Sequence, residues 1–135
     1  MSENAIVRVS DVMSTDVVMV DGLVTVYDAV RAMRARGVAA LIVNKRDADD
    51  EYGMVLLSDI SKKVLAMDRS PKRVNLYEIM AKPVICVRAA MDIRYCARLF
   101  NNFGLNYAPV VENEQIVGIV GTAEIALHHF PDDPH

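Results

Sequence analysis

The chain has 135 residues, of which 53% are hydrophobic and 24% are charged, and its formal net charge is −3. A chain of this length buries roughly two-thirds of the surface that it exposes when unfolded, so it supports a folded core. Positive and negative residues are interspersed, which leaves no basic footprint for nucleic acid. No apolar run approaches the ~20 residues that span a bilayer, and no signal pattern opens the sequence. We therefore expect a soluble, cytoplasmic protein.

The first third of the sequence predicts a helical turn, a strand and an amphipathic helix. Val9–Met13 has the spacing of a short helical turn, and Val17–Val20 is an apolar run of the strand type. Thr25 opens a capping box ahead of apolar residues that recur at helical spacing. Gly37 ends this helix, because glycine adopts the left-handed conformation without steric cost.

A hairpin and a second helix follow. Leu41–Val43 and Met54–Leu57 predict two paired strands, joined by an acidic and solvated turn, Asn44–Tyr52. Ser58 is the expected cap of the next helix. The apolar residues of that helix are spaced for one face: Ile60, Val64 and Met67.

The second half of the chain repeats this order. Val84–Val87 predicts a strand, Asp92 caps a helix that Gly104 ends, and a second hairpin leads into a last helix, from Ala123 to about His129. The apolar stripe of the capped helix consists of Ile93, Cys96, Ala97 and Phe100. Each half therefore reads strand, helix, strand, strand, helix, which predicts an α+β fold with mixed sheets.

The two halves align residue by residue, as an internal repeat should. An offset of 67 residues aligns Met13 with Met80 (80 − 13), and after the hairpin turn an offset of 65 aligns Asp59 with Glu124 (124 − 59). The first turn is simply two residues longer. Because the copies are short, we expect them to share one core. We assign 9–67 to the first repeat, 68–73 to a linker, 74–129 to the second repeat and 130–135 to a disordered tail.

The motifs of both copies resemble those of the cystathionine-β-synthase (CBS) domain. In the first copy they are Met13-Ser14-Thr15-Asp16-Val17-Val18 and the run from Gly53 to Ser58-Asp59-Ile60. In the second copy they are Met80-Ala81-Lys82-Pro83-Val84, Gly104-Leu105-Asn106-Tyr107-Ala108-Pro109-Val110-Val111 and Gly118-Ile119-Val120. The resemblance extends from Val9 to about Leu127.

The resemblance implies a tandem CBS pair, or Bateman module: two β-α-β-β-α repeats packed around a pseudo-twofold axis. Such pairs bind adenosine-containing ligands in the clefts between the copies, form dimers, and regulate a partner. The expected protein is a stand-alone, non-catalytic homodimer that senses such a ligand and signals to a target protein. No nucleic acid, membrane or required cofactor is implied.

By the same resemblance, Asp59 binds the two ribose hydroxyls. A carboxylate offers two acceptor oxygens to neighbouring O–H donors, and charge-assisted hydrogen bonds are strong. The alternative is that Asp59 only complements the start of its helix. The other residues assigned to this site by the resemblance are Ser58, Thr15, Val17, Val18, Ala39, Ala40 and Leu41, which are equally suited to a core. The family often has Ser or Thr where Leu56 stands, which weakens the ribose site.

In the second copy Glu124 takes the place of Asp59, and Gly121 stands at the hydroxyl position. Glutamate is one methylene longer and has to draw back to reach the same hydroxyls, so we expect this site to be degenerate or differently used. The residues assigned to it are Glu124, Thr122, Tyr107, Pro109 and Val84, and Tyr107 either stacks on a base or fills the cleft.

The ligand itself stays open among AMP, ADP, ATP and S-adenosylmethionine. The arginines that the family places beside the aspartate are missing, which favours a ligand with less phosphate. Lys82, Arg36, Arg88 and Arg94 are the candidates to replace them across the cleft, and the alternative for each is a solvated surface position. The alternative function is a ligand-free CBS module that acts through dimerisation and protein–protein contacts.

No metal or catalytic site is expected. His128 and His129 are adjacent and point apart on a helix, and His135 lies in the tail. Cys86 and Cys96 lie in apolar patterns and are interpreted as small hydrophobes rather than a disulfide or a catalytic thiol.

Overall fold

The computed structural model describes residues 6–129, which fall into two compact units. The central unit comprises residues 18–84. The terminal unit comprises the described residues up to Val17 together with those from Ile85 onward. In chain order the elements are α1 (Val9–Val12), β1 (Met19–Val20), α2 (Val26–Arg36), β2 (Ala40–Val43), β3 (Gly53–Leu56), α3 (Leu57–Ile60), β4 (Val87–Arg88), α4 (Ile93–Phe103), β5 (Tyr107–Glu112), β6 (Gln115–Gly121) and α5 (Thr122–His129).

Each unit contains one three-stranded mixed sheet, so the α+β prediction is confirmed. In the central unit β1 pairs in parallel with β2, and β2 pairs antiparallel with β3. In the terminal unit β4, β5 and β6 repeat this arrangement. The parallel pair in each unit is joined by the long helix, α2 or α4, because parallel neighbours need a crossover connection.

The local signals that bound the long helices are confirmed. Thr25 Oγ1 accepts a hydrogen bond from the N–H of Asp28 (3.2 Å), and Asp92 Oδ1 accepts one from the N–H of Arg94 (2.9 Å). Gly37 (φ 66°) and Gly104 (φ 63°) end α2 and α4 in the left-handed conformation. These positions follow from short-range backbone geometry alone.

The predicted start of the helix after the first hairpin was wrong. α3 begins at Leu57, which follows β3 without a break, so Ser58 lies inside the helix and makes no cap. After Ile60 the helix continues as a π-helical turn, Ser61–Leu65. Ile60 and Val64 are buried as predicted, whereas Met67 lies beyond the end of this turn and is 67% exposed.

Each unit has its own hydrophobic core, which corrects the expectation of one shared core. The central core is built around Met33, Leu41, Val55 and Leu76, and the terminal core around Val9, Val87, Cys96, Phe100 and Val110. The stripe predicted for α4 is confirmed except at Ala97, which is exposed.

The two copies exchange their lead-in segments, which we define as residues 9–15 and 76–82. α1, from the first copy, packs in the terminal unit beside the strands of the second copy. Leu76 and Ile79, from the second copy, lie in the central core beside the strands of the first. The compact units therefore divide the chain at different points from the sequence repeat.

The exchanged segments also extend the sheets. Ala81 and Met54 exchange both backbone hydrogen bonds (3.0 and 2.9 Å), and Ser14 and Ile119 do the same (2.8 and 2.9 Å). The contact is tight beside Ser14, since a Cβ added to Gly118 would lie 2.8 Å from the Ser14 carbonyl oxygen. Each lead-in segment thus covers an edge strand, which protects the sheet from pairing with other chains.

Candidate functional site

Asp59 lies in the first turn of α3, immediately after β3. Its Oδ2 accepts a hydrogen bond from the N–H of Leu56 (3.0 Å), and the side chain is half-buried. One carboxylate oxygen therefore completes the start of the helix, as the simpler interpretation of this residue requires. Within residues 6–129, Oδ1 has no hydrogen-bond partner and remains able to accept from a ligand hydroxyl.

Residues of β2 and the segment before it approach the start of α3. The N–H of Leu57 donates to the carbonyl of Ala39 (3.0 Å), and Ala40 lies opposite Leu56 in the β2–β3 ladder. Ala39 is half-buried and Ala40 is buried, and both side chains are small. In the central unit the structure thus brings Ala39 and Ala40 together with the turn that carries Asp59, while Ser58 is exposed to solvent.

Two other predicted residues of this site have side chains that belong to the core. Val18 is 6% exposed and Leu41 is fully buried, and both pack in the central hydrophobic cluster. The carbonyl of Val18 accepts from the N–H of Ile42 (2.9 Å), which fixes the short parallel pairing. Thr15 and Val17 belong to the terminal unit, where the N–H of Val17 donates to the Thr15 carbonyl (3.0 Å). That Thr15 and Val17 share a ligand site with Asp59 remains a prediction.

In the terminal unit Glu124 makes the same backbone contact that Asp59 makes. Its Oε1 accepts from the N–H of Gly121 (2.9 Å), three residues earlier, and the N–H of Thr122 donates to the carbonyl of Asn106 (3.0 Å). The extra methylene of glutamate is therefore accommodated by folding the side chain back along the helix start. Thr122 is exposed, and Pro109 is buried within β5. Val84 is half-buried and belongs to the central unit.

Gly121 leaves space that two neighbouring side chains use. A Cβ added there would lie 2.7 Å from Glu124 Oε1 and 2.8 Å from Tyr107 Cε1. Sequence comparison with the first copy shows only that a side chain is missing at this position. The structure supplies the reason, because any larger residue would collide with the folded-back glutamate and the tyrosine ring.

Lys82 and Arg94, which are candidates for phosphate binding, are each held by a carboxylate. Lys82 Nζ bonds Asp50 (2.5 Å), and Arg94 Nη2 bonds Asp92 (2.9 Å). The hydrogen bonds from Arg94 hold the pKa of Asp92 below its usual value. Arg36 and Arg88 are exposed. The ion pairs give Lys82 and Arg94 structural partners within their own units.

The terminal unit also carries an apolar groove that the sequence analysis did not predict. The groove lies between α4 and α5, has a volume of about 580 Å³, and is lined by Ala97, Phe100, Leu105 and Ile125. On the same two helices Phe103 is 60% exposed and Leu127 is 72% exposed. A signal was present in the sequence, since α4 carries more apolar residues than its buried stripe needs.

Within residues 6–129 no three His, Cys, Asp or Glu side chains are placed to hold a metal ion. His128 is exposed, the side chain of His129 is not described, and His135 and the predicted tail lie outside the described residues. Burial raises the pKa of the Cys96 thiol to about 11, which agrees with its interpretation as a core residue. Among the described helices, none has the length and apolarity to cross a bilayer.

A protein-family model described as "CBS domain" matches this chain twice, over residues 9–66 and 76–128. Among curated proteins, the chain is 36% identical over 122 residues to a homoserine O-acetyltransferase of Methanosalsum zhilinae, covering 88% of this chain and 23% of that protein. It is 27% identical over 120 residues to an uncharacterised protein of Methanopyrus kandleri, covering 88% of this chain and 61% of that protein. The chain thus spans only part of these relatives.

Solved structures give the same result for the fold. A hexameric CBS-CP12 protein from bloom-forming cyanobacteria superposes with a TM-score of 0.87 at 36% identity, covering 90% of this chain and 70% of that one. A CBS domain pair crystallised with 5′-methylthioadenosine and S-adenosyl-L-methionine superposes with a TM-score of 0.79 at 21% identity, covering 93% of this chain and 97% of that one. At that identity the second likeness concerns the fold alone.

Proposed function

Because the chain belongs to the CBS domain family and carries the domain twice, we propose that it is a non-catalytic regulatory module that senses an adenosine-containing ligand. In this proposal the ligand is bound beside Asp59, and the bound state is communicated to a partner protein. The observation that carries the proposal is the half-buried Asp59 carboxylate, which has one oxygen fixed by the Leu56 N–H and the other unoccupied within the described residues.

A protein recognises a ribose through hydrogen bonds to the hydroxyl groups of the sugar. A carboxylate held by a backbone N–H loses little freedom when a ligand binds, and a charge-assisted hydrogen bond to a hydroxyl is about twice as strong as a neutral one. Ala39 and Ala40 supply small side chains next to the same helix start. The related CBS pair that was crystallised with 5′-methylthioadenosine and S-adenosyl-L-methionine supports adenosine-containing ligands for this fold.

Of the candidate ligands, S-adenosylmethionine suits the described residues better than AMP, ADP or ATP. Phosphate binding calls for arginine or lysine side chains that are free to contact the ligand. Lys82 and Arg94 are already paired with Asp50 and Asp92 in their own units. A phosphate contact would first have to break one of these ion pairs. The free energy lost with the ion pair would offset part of the free energy gained from the phosphate contact.

A homodimer is the second part of the proposal. Phe103 and Leu127 beside the α4–α5 groove, and Leu65 and Met67 after α3, are each at least 60% exposed. Large apolar side chains grouped on helices indicate an interface, and a stable one buries about 800 Å² per partner. The hexameric CBS-CP12 relative shows that a similar chain assembles. Light scattering should give at least twice the 15.0 kDa of one chain, and a monomer mass at micromolar concentration would contradict the proposal.

The alternative, a ligand-free module that acts through protein contacts, is favoured by one observation in the second copy. There Glu124 and Tyr107 fill the space beside Gly121, so a ligand would have to displace them. A thermal-shift panel of adenosine, AMP, ADP, ATP and S-adenosylmethionine decides between the two. A ligand at ten times its dissociation constant stabilises the fold by roughly 1.4 kcal/mol. If none of the five raises the melting temperature at millimolar concentration, the alternative is the better account.

A further inference from the structure

The central unit contains a second cavity, at the opposite end of β2 from Ala39. Its volume is about 460 Å³, and it lies beyond Val43, where β2 runs into the turn of the first hairpin. We propose that this cavity binds a small organic carboxylate with an apolar or aromatic body. The proposal is independent of the Asp59 site, since the two sets of residues do not overlap.

Two cations at this cavity are held in place by one carboxylate. Asp50 Oδ2 accepts from the backbone N–H of Arg46 (2.8 Å) and from its Nε (3.2 Å), while Asp50 Oδ1 bonds Lys82 Nζ (2.5 Å). The Asp50 side chain is only 8% exposed, whereas that of Arg46 is 82% exposed. Both carboxylate oxygens of Asp50 therefore have partners within the protein. The prediction that the whole turn is solvated was wrong at this residue.

The two Nη groups of the Arg46 guanidinium are available to a ligand. Only Nε contacts Asp50, and the two Nη groups make no hydrogen bond or ion pair within residues 6–129. The paired N–H groups of arginine match the two oxygens of a carboxylate. Lys82 Nζ stays paired with Asp50, so the contact with the ligand is assigned to Arg46. The formal charges of Arg46 and Lys82 are balanced by those of Asp50 and Asp21, so the recognition of a carboxylate rests on the available Nη donors of Arg46.

The rest of the wall is largely apolar. Leu23 is 71% exposed and Tyr77 is 52% exposed, and both line the cavity together with Val43 and Met80. Pockets of this size that combine an apolar wall with a few fixed polar groups are typical small-molecule sites. A ligand with an apolar or aromatic body would cover Leu23 and stack on Tyr77, while its carboxylate reaches Arg46.

One acidic side chain at the cavity, Asp21, opposes an anion. Its Oδ1 accepts the N–H of Leu23 (2.8 Å) in the turn after β1. Asparagine can make the same turn contact without the charge. Asp21→Asn should therefore tighten the binding of a carboxylate.

The internal repeat shows that the fold does not require these residues. At the offset of 67, the residues of the other copy are Ser10 for Tyr77, Thr15 for Lys82 and Asn113 for Arg46. The turn that carries Arg46 and Asp50 is also the one that is two residues longer. Of the two equivalent places, only the one in the central unit therefore has both the cations and the aromatic ring.

The test uses three probes of equal shape on the full chain: 3-phenylpropionate, the neutral 3-phenylpropionamide and the cationic 3-phenylpropylamine. Amide shifts of the ¹⁵N-labelled protein give the dissociation constants. We expect the carboxylate to bind with saturable shifts around Leu23 and Asn44, and the amide and amine to bind at least about tenfold more weakly. Equal binding of the amine, or no binding of the carboxylate at about 20 mM, would overturn the proposal.

Variants that copy the other repeat locate the contact. Arg46→Asn and Tyr77→Ser should each weaken 3-phenylpropionate about tenfold, and both positions are exposed enough to keep the fold. Arg98→Asn is the matched control, because Arg98 is an exposed arginine of the terminal unit that lies over Tyr95 (5.2 Å). It should leave the affinity unchanged. An affinity that survives Arg46→Asn, or that falls equally in Arg98→Asn, would exclude the assigned site.

Discussion

The sharpest prediction concerns which atom of the ligand contacts Asp59. If its carboxylate binds the ribose, adenosine should bind wild-type protein more tightly than 2′-deoxyadenosine does. Because Oδ2 already accepts the Leu56 N–H at 3.0 Å, only Oδ1 is free for the sugar. One charged hydrogen bond is worth roughly 1.5–3 kcal/mol, so the affinity ratio should be about 10- to 100-fold.

The substitution that isolates this contact is Asp59→Asn. Asparagine keeps one carbonyl oxygen for the Leu56 N–H but loses the charge, so the fold should be retained while the ratio between the two nucleosides falls toward one. Asp59→Ala also removes the acceptor for the Leu56 N–H. That variant should lose about 1 kcal/mol of folding free energy, or about 4 °C of melting temperature, before any ligand is added.

The assay is isothermal titration calorimetry of adenosine and of 2′-deoxyadenosine, each titrated into wild type and into Asp59→Asn, which gives the affinity ratio for each protein. Glu124→Gln is the matched control, because Glu124 makes the equivalent backbone contact in the terminal unit at 2.9 Å. It should leave the nucleoside ratio at its wild-type value. Equal affinities of the two nucleosides for wild type, or a ratio that persists in Asp59→Asn, would refute the assignment of the ribose contact. A ratio lost only in Glu124→Gln would move the site to the second copy.

The other predictions concern packing, acidity and the buried thiol. Gly118→Ala should lower the free energy of unfolding in urea by about 1–3 kcal/mol, because the added Cβ would meet the backbone oxygen of Ser14. Gly53→Ala should lower it by less, because the added Cβ would meet the flexible side chain of Met80, which can move away. Hydrogen bonds from Lys82 and Arg46 lower the pKa of Asp50, so its stabilising contribution is complete above its unfolded value of 3.8 and is lost as the pH falls further. Wild type should therefore lose more stability than Lys82→Gln between pH 6 and pH 3, and equal losses would argue against the ion pair. Cys96 should resist alkylation in the folded protein at pH 8, because its thiol stays protonated up to a pKa of about 11, and rapid labelling would contradict its burial.

The sequence determined those features that depend on neighbours a few residues apart. Thr25 and Asp92 cap α2 and α4 through hydrogen bonds to an N–H two or three residues away. Gly37 ends α2 because of its own φ angle. The hairpins and the repeat followed from apolar patterns, which record where each strand faces a core. The CBS assignment rested on these local features, and the matched residues, 9–66 and 76–128, confirm it.

Only the tertiary structure decided which copy each lead-in segment packs against. α1 and its equivalent around Leu76 carry the same apolar pattern, so either core could accept either segment. The choice depends on how the whole chain closes, which no local spacing records. For the same reason the sequence could not place the Lys82–Asp50 ion pair, whose partners are 32 residues apart (82 − 50). It also could not show that Tyr107 and Glu124 occupy the space beside Gly121, because that exclusion arises from side chains meeting across β5, β6 and α5.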